Sequence, residues 1–279
     1  MIRTIVTGVA GRMGQTLVRA LHEAPLDFKL CGATEQLSSP AVGQDVGVVA
    51  GIGPCRVPIR AALRETLDDA LAANGDRADI IVIDFSHPEA SIAHARICAE
   101  RGVGIVIGTT GFDREATCAL DTIAKSIPLL VAPNMSVGVV LLQNLVREAA
   151  RVLGQDYDVE ILEMHHRHKK DAPSGTALRL GTIAAEALGR DPATSFRRSR
   201  EGNIGARSDE EIGLQTLRGG DCVGEHTVFF VGQGERIELT HRAFSRAQFA
   251  QGALRAAKFL AGKPAGLYDM GQVLRMTPQ

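Results

Sequence analysis

Short runs of β-branched and other apolar residues alternate with helical segments through the first half of the chain. The pattern predicts strands at 3–7, 28–34, 79–84, 103–107 and 128–132, with helices at 11–21, 88–101 and 113–125. The segment 79–84 contains four consecutive apolar residues, as expected of a strand buried on both faces. Because parallel neighbours need crossover helices, the alternation predicts an α/β fold with a Rossmann-like, doubly wound parallel sheet. A segment rich in glycine, proline and serine, 38–58, is predicted to be a loop or lid.

The pattern changes after about residue 133. Helices are predicted at 137–153 and 175–188, and strands at 158–165, 213–217, 225–231 and 236–241. Strands in series with only turns between them predict a second, α+β domain that carries a largely antiparallel open sheet. A helical segment after Phe244 is assigned to the first domain. The predicted domains are therefore 1–132 plus 244–279, and 133–243.

Composition excludes several classes of partner. The 31 lysines and arginines nearly balance 32 aspartates and glutamates, so no overall positive field would attract nucleic acid or an anionic membrane. No apolar run reaches the roughly 18 residues of a membrane span, and the N-terminus lacks a signal-peptide pattern. Five scattered cysteines form no C-x-x-C pair, which favours free thiols in a reducing compartment. The sequence predicts a cytoplasmic protein.

A glycine-rich turn joins the first predicted strand to the first predicted helix. Glycines at 8, 11 and 14 allow a tight turn against a pyrophosphate, which the helix N-terminus would bind. The spacing differs by one residue from G-x-G-x-x-G, and a glycine-rich turn without a ligand is the alternative. Glu35 ends the second strand, where an acid bonds the adenosine ribose; the alternative is an exposed loop glutamate. Together they predict a dinucleotide site formed by Gly8, Val9, Ala10, Gly11, Arg12, Met13 and Glu35.

Two features bear on which dinucleotide binds. The carboxylate of Glu35 would repel a 2′-phosphate, and Gln36 supplies no positive charge to offset that repulsion. NADH is therefore favoured over NADPH. A second turn, Gly108-Thr109-Thr110-Gly111, follows a strand and offers hydroxyls and backbone donors suited to the nicotinamide and a substrate carboxylate. Ordinary turn chemistry is the alternative for this segment.

Six consecutive residues, His165 to Lys170, are cationic or become so on protonation. A solvated surface run is one alternative. A metal site of His165, His166 and His168 is another, but the spacing fits no zinc pattern, and no metal is predicted. Downstream, Ser174 and Gly175 read as the start of a helix whose open N–H groups face the cationic loop. The combination predicts a pocket for a small polyanion.

The same segment carries a resemblance to a known family. The pattern His165-His-x-x-Lys169-x-Asp171-Ala-Pro-Ser174-Gly175-Thr176-Ala177 resembles the signature of the 4-hydroxy-tetrahydrodipicolinate reductase (dihydrodipicolinate reductase) family. Similar to that family too are 11–14, 108–111, 133–138, 245–246 and 266–270. These matches run from end to end of the chain in the expected order.

The resemblance implies an NAD(P)H-dependent oxidoreductase that reduces the dicarboxylate 4-hydroxy-tetrahydrodipicolinate to tetrahydrodipicolinate, in lysine biosynthesis through diaminopimelate. It also implies a homotetramer built by the substrate-binding domain, 133–243. His165 would be the proton donor and acceptor, and Lys169 a second proton donor. The dicarboxylate would be held by His166, Gly175 and Thr176, with Thr109 and Ser174 nearby. The dinucleotide would be lined by Gly8–Met13, Glu35, Gly108, Thr109, Thr110, Ala132, Pro133, Asn134 and Met135.

The chain departs from the family pattern at two positions. Gln36 and His87 stand where relatives often carry basic residues, which argues against a strong preference for NADPH. Two other functions remain open: a different amino-acid or semialdehyde dehydrogenase, and a dinucleotide-sensing protein without catalysis. The second would be favoured if His165 or Lys169 were absent, and both are present.

Overall fold

The computed structural model describes residues 1–74 and 77–276. To residue 131 the elements are β1 (Ile2–Thr7), α1 (Arg12–His22), β2 (Phe28–Thr34), α2 (Val46–Ala50), β3 (Ile59–Arg60), α3 (Leu63–Asn74), β4 (Ile80–Asp84), α4 (Pro88–Arg101), β5 (Gly104–Ile107), α5 (Arg114–Ile123) and β6 (Pro128–Val131). They are followed by α6 (Val137–Leu153), β7 (Asp158–His165), α7 (Gly175–Ala187), α8 (Pro192–Ser195), β8 (Phe196–Arg197), β9 (Ile212–Arg218), β10 (Gly224–Val231), β11 (Arg236–Ala243), α9 (Ala247–Leu260), β12 (Gly266–Tyr268) and α10 (Met270–Val273).

The chain forms two compact units, Met1–Val137 with the segment from Ala247 onward, and Gly138–Arg246. The first unit holds a seven-stranded sheet in the order β12-β6-β5-β4-β1-β2-β3. All its neighbouring strands are parallel, so the predicted Rossmann-like sheet is confirmed. Among the described residues, none of the helices combines the length and apolar character needed to cross a bilayer.

Local sequence explains the elements around the first sheet. Every residue of β4 is buried, as its unbroken apolar run predicts. The helix α4 begins with Pro88, whose fixed φ suits the first helical position, and ends at Gly102 with a φ of 66°. The helix α1 buries Leu17, Val18 and Leu21, which lie on one face at helical spacing.

The segment predicted as a loop or lid, 38–58, is more ordered than expected. It contains α2, which Asp45 caps by accepting hydrogen bonds from the N–H groups of Gly47 and Val48. The same carboxylate accepts from Cys55 N at 3.0 Å and Arg56 N at 2.6 Å, which closes the segment on itself. The elements β3 and α3 that follow were not predicted.

The second unit has a five-stranded sheet in the order β11-β10-β7-β9-β8. The pairs β10–β11 and β10–β7 are antiparallel, as predicted, whereas β7–β9 and β8–β9 are parallel. The sheet is therefore mixed, with antiparallel pairing on one side of β7 and parallel pairing on the other. The physical reason is α7, which lies between β7 and β9 in sequence and supplies the crossover that a parallel pair needs.

Alternation along β7 separates a covered face from an open one. Val159, Ile161 and Glu163 are buried, and the residues between them are half-exposed. The two apolar side chains join a core with residues of α6, α7, β9 and β10. Glu163 continues the same face and places a carboxylate at a core position.

Candidate active site

The glycine-rich turn of the first unit has the geometry of a phosphate-binding turn. Gly8 has a φ of 64°, and the N–H of Gly11 donates to its carbonyl at 3.1 Å. Gly11 precedes α1 and provides no side-chain cap, so no capping side chain accepts from the first-turn N–H groups of this helix. A Cβ on Gly14 would lie 2.2 Å from the carbonyl oxygen of Gly8. Only glycine at position 14 lets the helix pack this closely on the turn, which leaves a cradle suited to a pyrophosphate.

Glu35 lies beside that turn. Its Oε2 accepts from the N–H of Ala10 at 2.9 Å, and its Oε1 accepts from the N–H of Gln36 at 2.9 Å. The fold thus joins the predicted acid of β2 to the turn after β1, although 25 residues separate Glu35 from Ala10. Each carboxylate oxygen retains a lone pair for a ribose hydroxyl.

The Gly108 turn rests on a buried polar network. The hydroxyl of Ser91 donates to Thr109 Oγ1 at 2.7 Å, and the N–H of Ser86 donates to the same oxygen at 3.1 Å. Asp84, which is fully buried, accepts from Ser86 Oγ at 2.6 Å and contacts His94 Nδ1 at 2.8 Å. Burial raises the pKa of Asp84, but the hydrogen bonds from His94 and Ser86 outweigh it and hold the pKa below its usual value.

This network shows how Thr109 is held. Its side chain is 5% exposed and engaged by two donors, whereas Thr110 is exposed. A Cβ on Gly108 would overlap the ring of Phe85 at 2.2 Å, so that ring packs directly on the turn backbone. These contacts hold the turn in place at the carboxyl end of β5.

The remaining residues that are predicted to line the dinucleotide, Ala132 to Met135, follow β6. The N–H of Ala132 donates to the carbonyl of Ile107, which joins this segment to β5. Asn134 Oδ1 accepts from Ser136 N at 2.9 Å, and Pro133 is exposed. Met135 is 1% exposed, so its side chain belongs to the core.

In the second unit, His165 ends β7 and pairs with Glu163. Its Nδ1 lies 2.6 Å from Glu163 Oε2, and its side chain is 11% exposed. A Cβ at position 224 would come within 2.9 Å of His165 Nε2, so Gly224 leaves room beside that nitrogen. The ring of His226 meets His165 edge-on, with centroids 5.2 Å apart.

Arg218 holds Glu163 in its ionised form. The guanidinium donates to Oε2 at 2.8 Å and to Oε1 at 2.9 Å, a bidentate pair between the ends of β9 and β7. Burial raises the pKa of Glu163, but hydrogen bonds from His165, Arg218 and the Ser174 amide outweigh burial and lower the pKa to about 2. A carboxylate at this site is therefore charged across the physiological range.

The start of α7 is fixed by Ser174, which is 2% exposed. Its hydroxyl accepts from Ala177 N at 3.2 Å and contacts His226 Nε2 at 3.0 Å. Ser174 thus caps the helix. Gly175 follows as an exposed first helical residue, where N–H groups have no intrahelical acceptor. Burial lowers the pKa of His226 to about 3, so that imidazole is neutral.

The cationic loop lies between His165 and Ser174 in the same unit. Lys169 Nζ pairs with Asp171 Oδ1 at 2.9 Å, and that hydrogen bond lowers the pKa of Asp171. His166 and Thr176 are half-buried. Burial and the positive charge of Arg246 lower the pKa of His166. Among the described residues, no group of three His, Cys, Asp or Glu side chains is placed to hold a metal ion.

Sequence reasoning did not assign roles to Glu163, Arg218 or His226. A signal for Glu163 exists, because the alternation Val159, Ile161, Glu163 places an acid on the apolar face of a strand. The alternation His226, Val228, Phe230 along β10 gives the same signal for His226, whereas Arg218 gave none. The register His165↔Arg218 and Glu163↔His226 brings them to β7, and the sequence does not determine register between strands so far apart.

Two groups of residues have been described: the glycine-rich turn with Glu35, and the residues around Glu163 and His165. Together with the fold they define a Rossmann-type, dinucleotide-binding oxidoreductase. Residues 2–135 match the family described as "Dihydrodipicolinate reductase, N-terminus", and residues 138–274 match "Dihydrodipicolinate reductase, C-terminus". The chain belongs to the dihydrodipicolinate reductase family.

Individual relatives are similar over nearly the whole chain. The chain is 55% identical over 274 residues to a 4-hydroxy-tetrahydrodipicolinate reductase from Myxococcus xanthus, covering 98% of both chains. It is 52% identical to one from Syntrophotalea carbinolica, covering 98% of this chain and 99% of the relative. In fold it resembles a dipicolinate-bound dihydrodipicolinate reductase from a Paenisporosarcina species, with a TM-score of 0.72 and 24% identity over 96% of this chain and 97% of the other.

Proposed function

We propose that this protein reduces 4-hydroxy-tetrahydrodipicolinate to tetrahydrodipicolinate with NAD(P)H, a step of lysine biosynthesis through diaminopimelate. The observation that carries the proposal is His165, whose Nδ1 is held by the buried carboxylate of Glu163 at 2.6 Å beside a cationic loop and a helix start. Relatives at 55% identity carry the corresponding name.

The proton chemistry belongs to the second unit. Hydride addition to a conjugated cyclic imine leaves an electron-rich enamine that must gain a proton. His165 supplies it from Nε2, because Nδ1 donates to Glu163. Histidine suits the role because its ordinary pKa lies near neutrality. Lys169 is the second donor, released from Asp171 when a substrate carboxylate takes that partner's place.

The substrate carboxylates need positive charge and N–H donors. His166, Gly175 and Thr176 supply them, and the dipole of α7 adds about 0.3–1 kcal/mol per interaction. Ser174 contributes by capping α7, since its hydroxyl is already engaged. Thr109 is also proposed for the substrate, and its side chain is fixed by the hydroxyl of Ser91.

The first unit fits a nicotinamide dinucleotide. The cradle at Gly14, which a Cβ would fill, suits a pyrophosphate held by Gly8–Met13. Glu35 would bond the adenosine ribose, and the Gly108–Thr110 turn with Ala132–Met135 would line the nicotinamide end. When bound, the dinucleotide supplies the hydride.

A coupled assay tests the proposal. Purified protein is given NADH or NADPH with the condensation product of pyruvate and aspartate semialdehyde, and oxidation of the dinucleotide is followed. We expect turnover with that product and none with aspartate semialdehyde alone, which is the substrate of the rival dehydrogenase class. Absence of turnover with both dinucleotides overturns the proposal.

The acidic residue at the ribose position predicts a preference for NADH. Replacing Glu35 by alanine should raise the KM for NADH by roughly 10–150-fold, since a hydrogen bond to a charged group contributes about 1.5–3 kcal/mol. The KM for NADPH should change less, because a repulsion with the 2′-phosphate disappears at the same time. Gln36→Ala is the matched control, because it alters the adjacent exposed side chain without changing charge. An equal loss for both dinucleotides would refute the ribose assignment.

The protein is further proposed to assemble through its second domain. We propose 1–132 plus 244–279 as the dinucleotide-binding domain and 133–243 as the substrate-binding and oligomerisation domain of a cytoplasmic homotetramer. The open face of the second sheet supports this, since Leu217 and Val231 are 48% and 37% exposed there. Light scattering of the purified protein would show the mass of four chains, and a monomer would refute this assembly.

A further inference from the structure

The carboxylate of Glu163 accepts hydrogen bonds at both of its oxygens from several parts of the second unit. Although Glu163 is fully buried, its oxygens accept from five donors, which lie on the two strands β7 and β9 and on the residue that precedes α7. Oε2 accepts from His165 Nδ1 and Arg218 Nη1. Oε1 accepts from the N–H of Ser174 at 2.9 Å, Arg218 Nη2 at 2.9 Å and Thr216 Oγ1 at 3.3 Å.

We infer that Glu163 is the positioning residue of this site, which keeps the proton of neutral His165 on Nδ1 and ties that imidazole to the start of α7. The inference rests on the proposed function and deepens it, because it states which nitrogen of His165 reacts and what determines that choice.

The two nitrogens of a neutral imidazole have different hydrogen-bonding roles. In the neutral ring one nitrogen donates and the other accepts, and the partner of one decides the role of the other. Glu163, held ionised by Arg218, can only accept, so Nδ1 keeps its proton. In the protonated ring, the Nε2–H bond breaks, its electron pair stays on nitrogen, and the proton bonds to the electron-rich enamine. Solvent then returns a proton to Nε2.

The ion pair between Glu163 and Arg218 also holds the other parts of the site in place. Arg218 Nη2 donates to the carbonyl of Asp171 at 2.6 Å, within the loop that carries Lys169. The N–H of Ser174 donates to Glu163 directly before α7 begins. One buried ion pair therefore links the proton donor, the cationic loop and the anion-binding helix start. Arg218 balances the charge of Glu163. A neutral replacement that keeps an oxygen toward Ser174 and Arg218 Nη2 preserves the links to the helix start and the loop, and it changes the partner of His165.

Glu163→Gln tests the inference with almost no change in size. All five partners donate, and a Gln amide can accept at only one end. The three donors near Oε1 outnumber the two near Oε2, so the amide NH₂ faces His165 and forces Nδ1 to accept. The neutral ring then carries its proton on Nε2. In serine proteases, the comparable acid-to-amide change at the histidine's partner lowers kcat about 10⁴-fold.

The expected result is a fall in kcat of about 10²–10⁴-fold, with the KM for the cyclic imine within about threefold of the unmodified protein. A kcat within twofold of normal, or a loss confined to KM, overturns the inference.

Glu211→Gln is the matched control. Glu211 is also buried, at 8% exposure, and accepts from Arg200 Nη2 at 2.6 Å. It lies directly before β9, at the opposite end of that strand from Arg218, roughly 20 Å away by strand geometry. The control should keep kcat within about twofold, because separated sites act independently. Equal losses in both variants would show that any buried ion pair of this unit has the same effect, and would overturn the inference.

A spectroscopic measurement decides the point even if Glu163→Gln fails to fold. Magic-angle-spinning ¹⁵N NMR of the unmodified protein, labelled at histidine, reports the tautomer of each neutral ring, and the difference from His165→Gln assigns His165. We expect the Nδ1–H form, and an Nε2–H form overturns the inference. This readout does not require turnover. An inactive protein with Nδ1–H therefore refutes the proposed function and leaves the role of Glu163 intact.

Discussion

Replacing His165 by alanine lowers kcat by about 10²–10⁴-fold, the usual effect of removing a positioned acid–base group. The expected reason is that the enamine formed by hydride addition then has no donor beside it. Lys169 is paired with Asp171 at 2.9 Å and does not take over the function of a pre-oriented imidazole. Steady-state kinetics with the cyclic imine and NADH measure the change, and the KM for NADH should be unaffected.

His168→Ala is the matched control for that variant. His168 lies in the same cationic loop and is exposed, so its removal takes an imidazole from the loop without touching Glu163. The rings of His168 and His166 have centroids 6.3 Å apart, so we expect a rise in the substrate KM. The kcat should stay within about threefold of normal, because His165 keeps its contact with Glu163. If both variants lose activity equally, the charge of the loop matters and the identity of His165 does not. A near-normal kcat for His165→Ala removes this residue from the proton-transfer step.

The second large effect is expected at the glycine-rich turn. In Gly14→Ala the new Cβ would meet the carbonyl oxygen of Gly8 at 2.2 Å and the Cα of Val9 at 2.6 Å. Both are backbone atoms, so α1 and the turn must move apart, at a cost of about 1–3 kcal/mol. That movement displaces the N–H groups that would hold the pyrophosphate. We expect the Kd for NADH, measured by fluorescence titration, to rise by roughly 10–100-fold.

Gly32→Ala separates this effect from a general loss of packing. Its Cβ would meet the methyl group of Thr66 at 2.4 Å, in the core of the same unit but within β2. The variant should lower the melting temperature while NADH affinity stays near normal. If Gly32→Ala weakens NADH as much as Gly14→Ala does, the turn itself is not the cause. Unchanged affinity in Gly14→Ala would contradict the placement of the pyrophosphate at this turn.

Much of the fold could be predicted because its signals are local. The bounds of α4, α6 and β7 agree with prediction at both ends, since apolar spacing, Pro88 and Gly102 mark them within the segment itself. The all-parallel order of the first sheet follows from the alternation of strand and helix. The elements β3 and α3 were missed, and the parallel pairs of β9 were too.

The candidate site likewise has features that local sequence predicts and features that depend on the tertiary structure. His165, Lys169, Ser174 and Gly175 are close in sequence, so their side-chain chemistry and the helix start could be recognised without a structure. For Glu35 the position was predicted, but its hydrogen bond to Ala10 N was not. Asp84 and His94 had no predicted partner, because a buried pair ten residues apart depends on how β4 and α4 pack.

The sequence by itself determined the class of fold, the glycine turn, the cationic histidine–lysine segment and the family, because each is written in neighbouring residues. Only the tertiary structure decided which nitrogen of His165 is held, which arginine keeps Glu163 charged and that His226 contacts the serine that caps α7. Those contacts join positions 163, 174, 218 and 226, and they depend on strand register and on the packing of α7. Register and packing result from burying a whole apolar face, and no short segment of sequence contains that information.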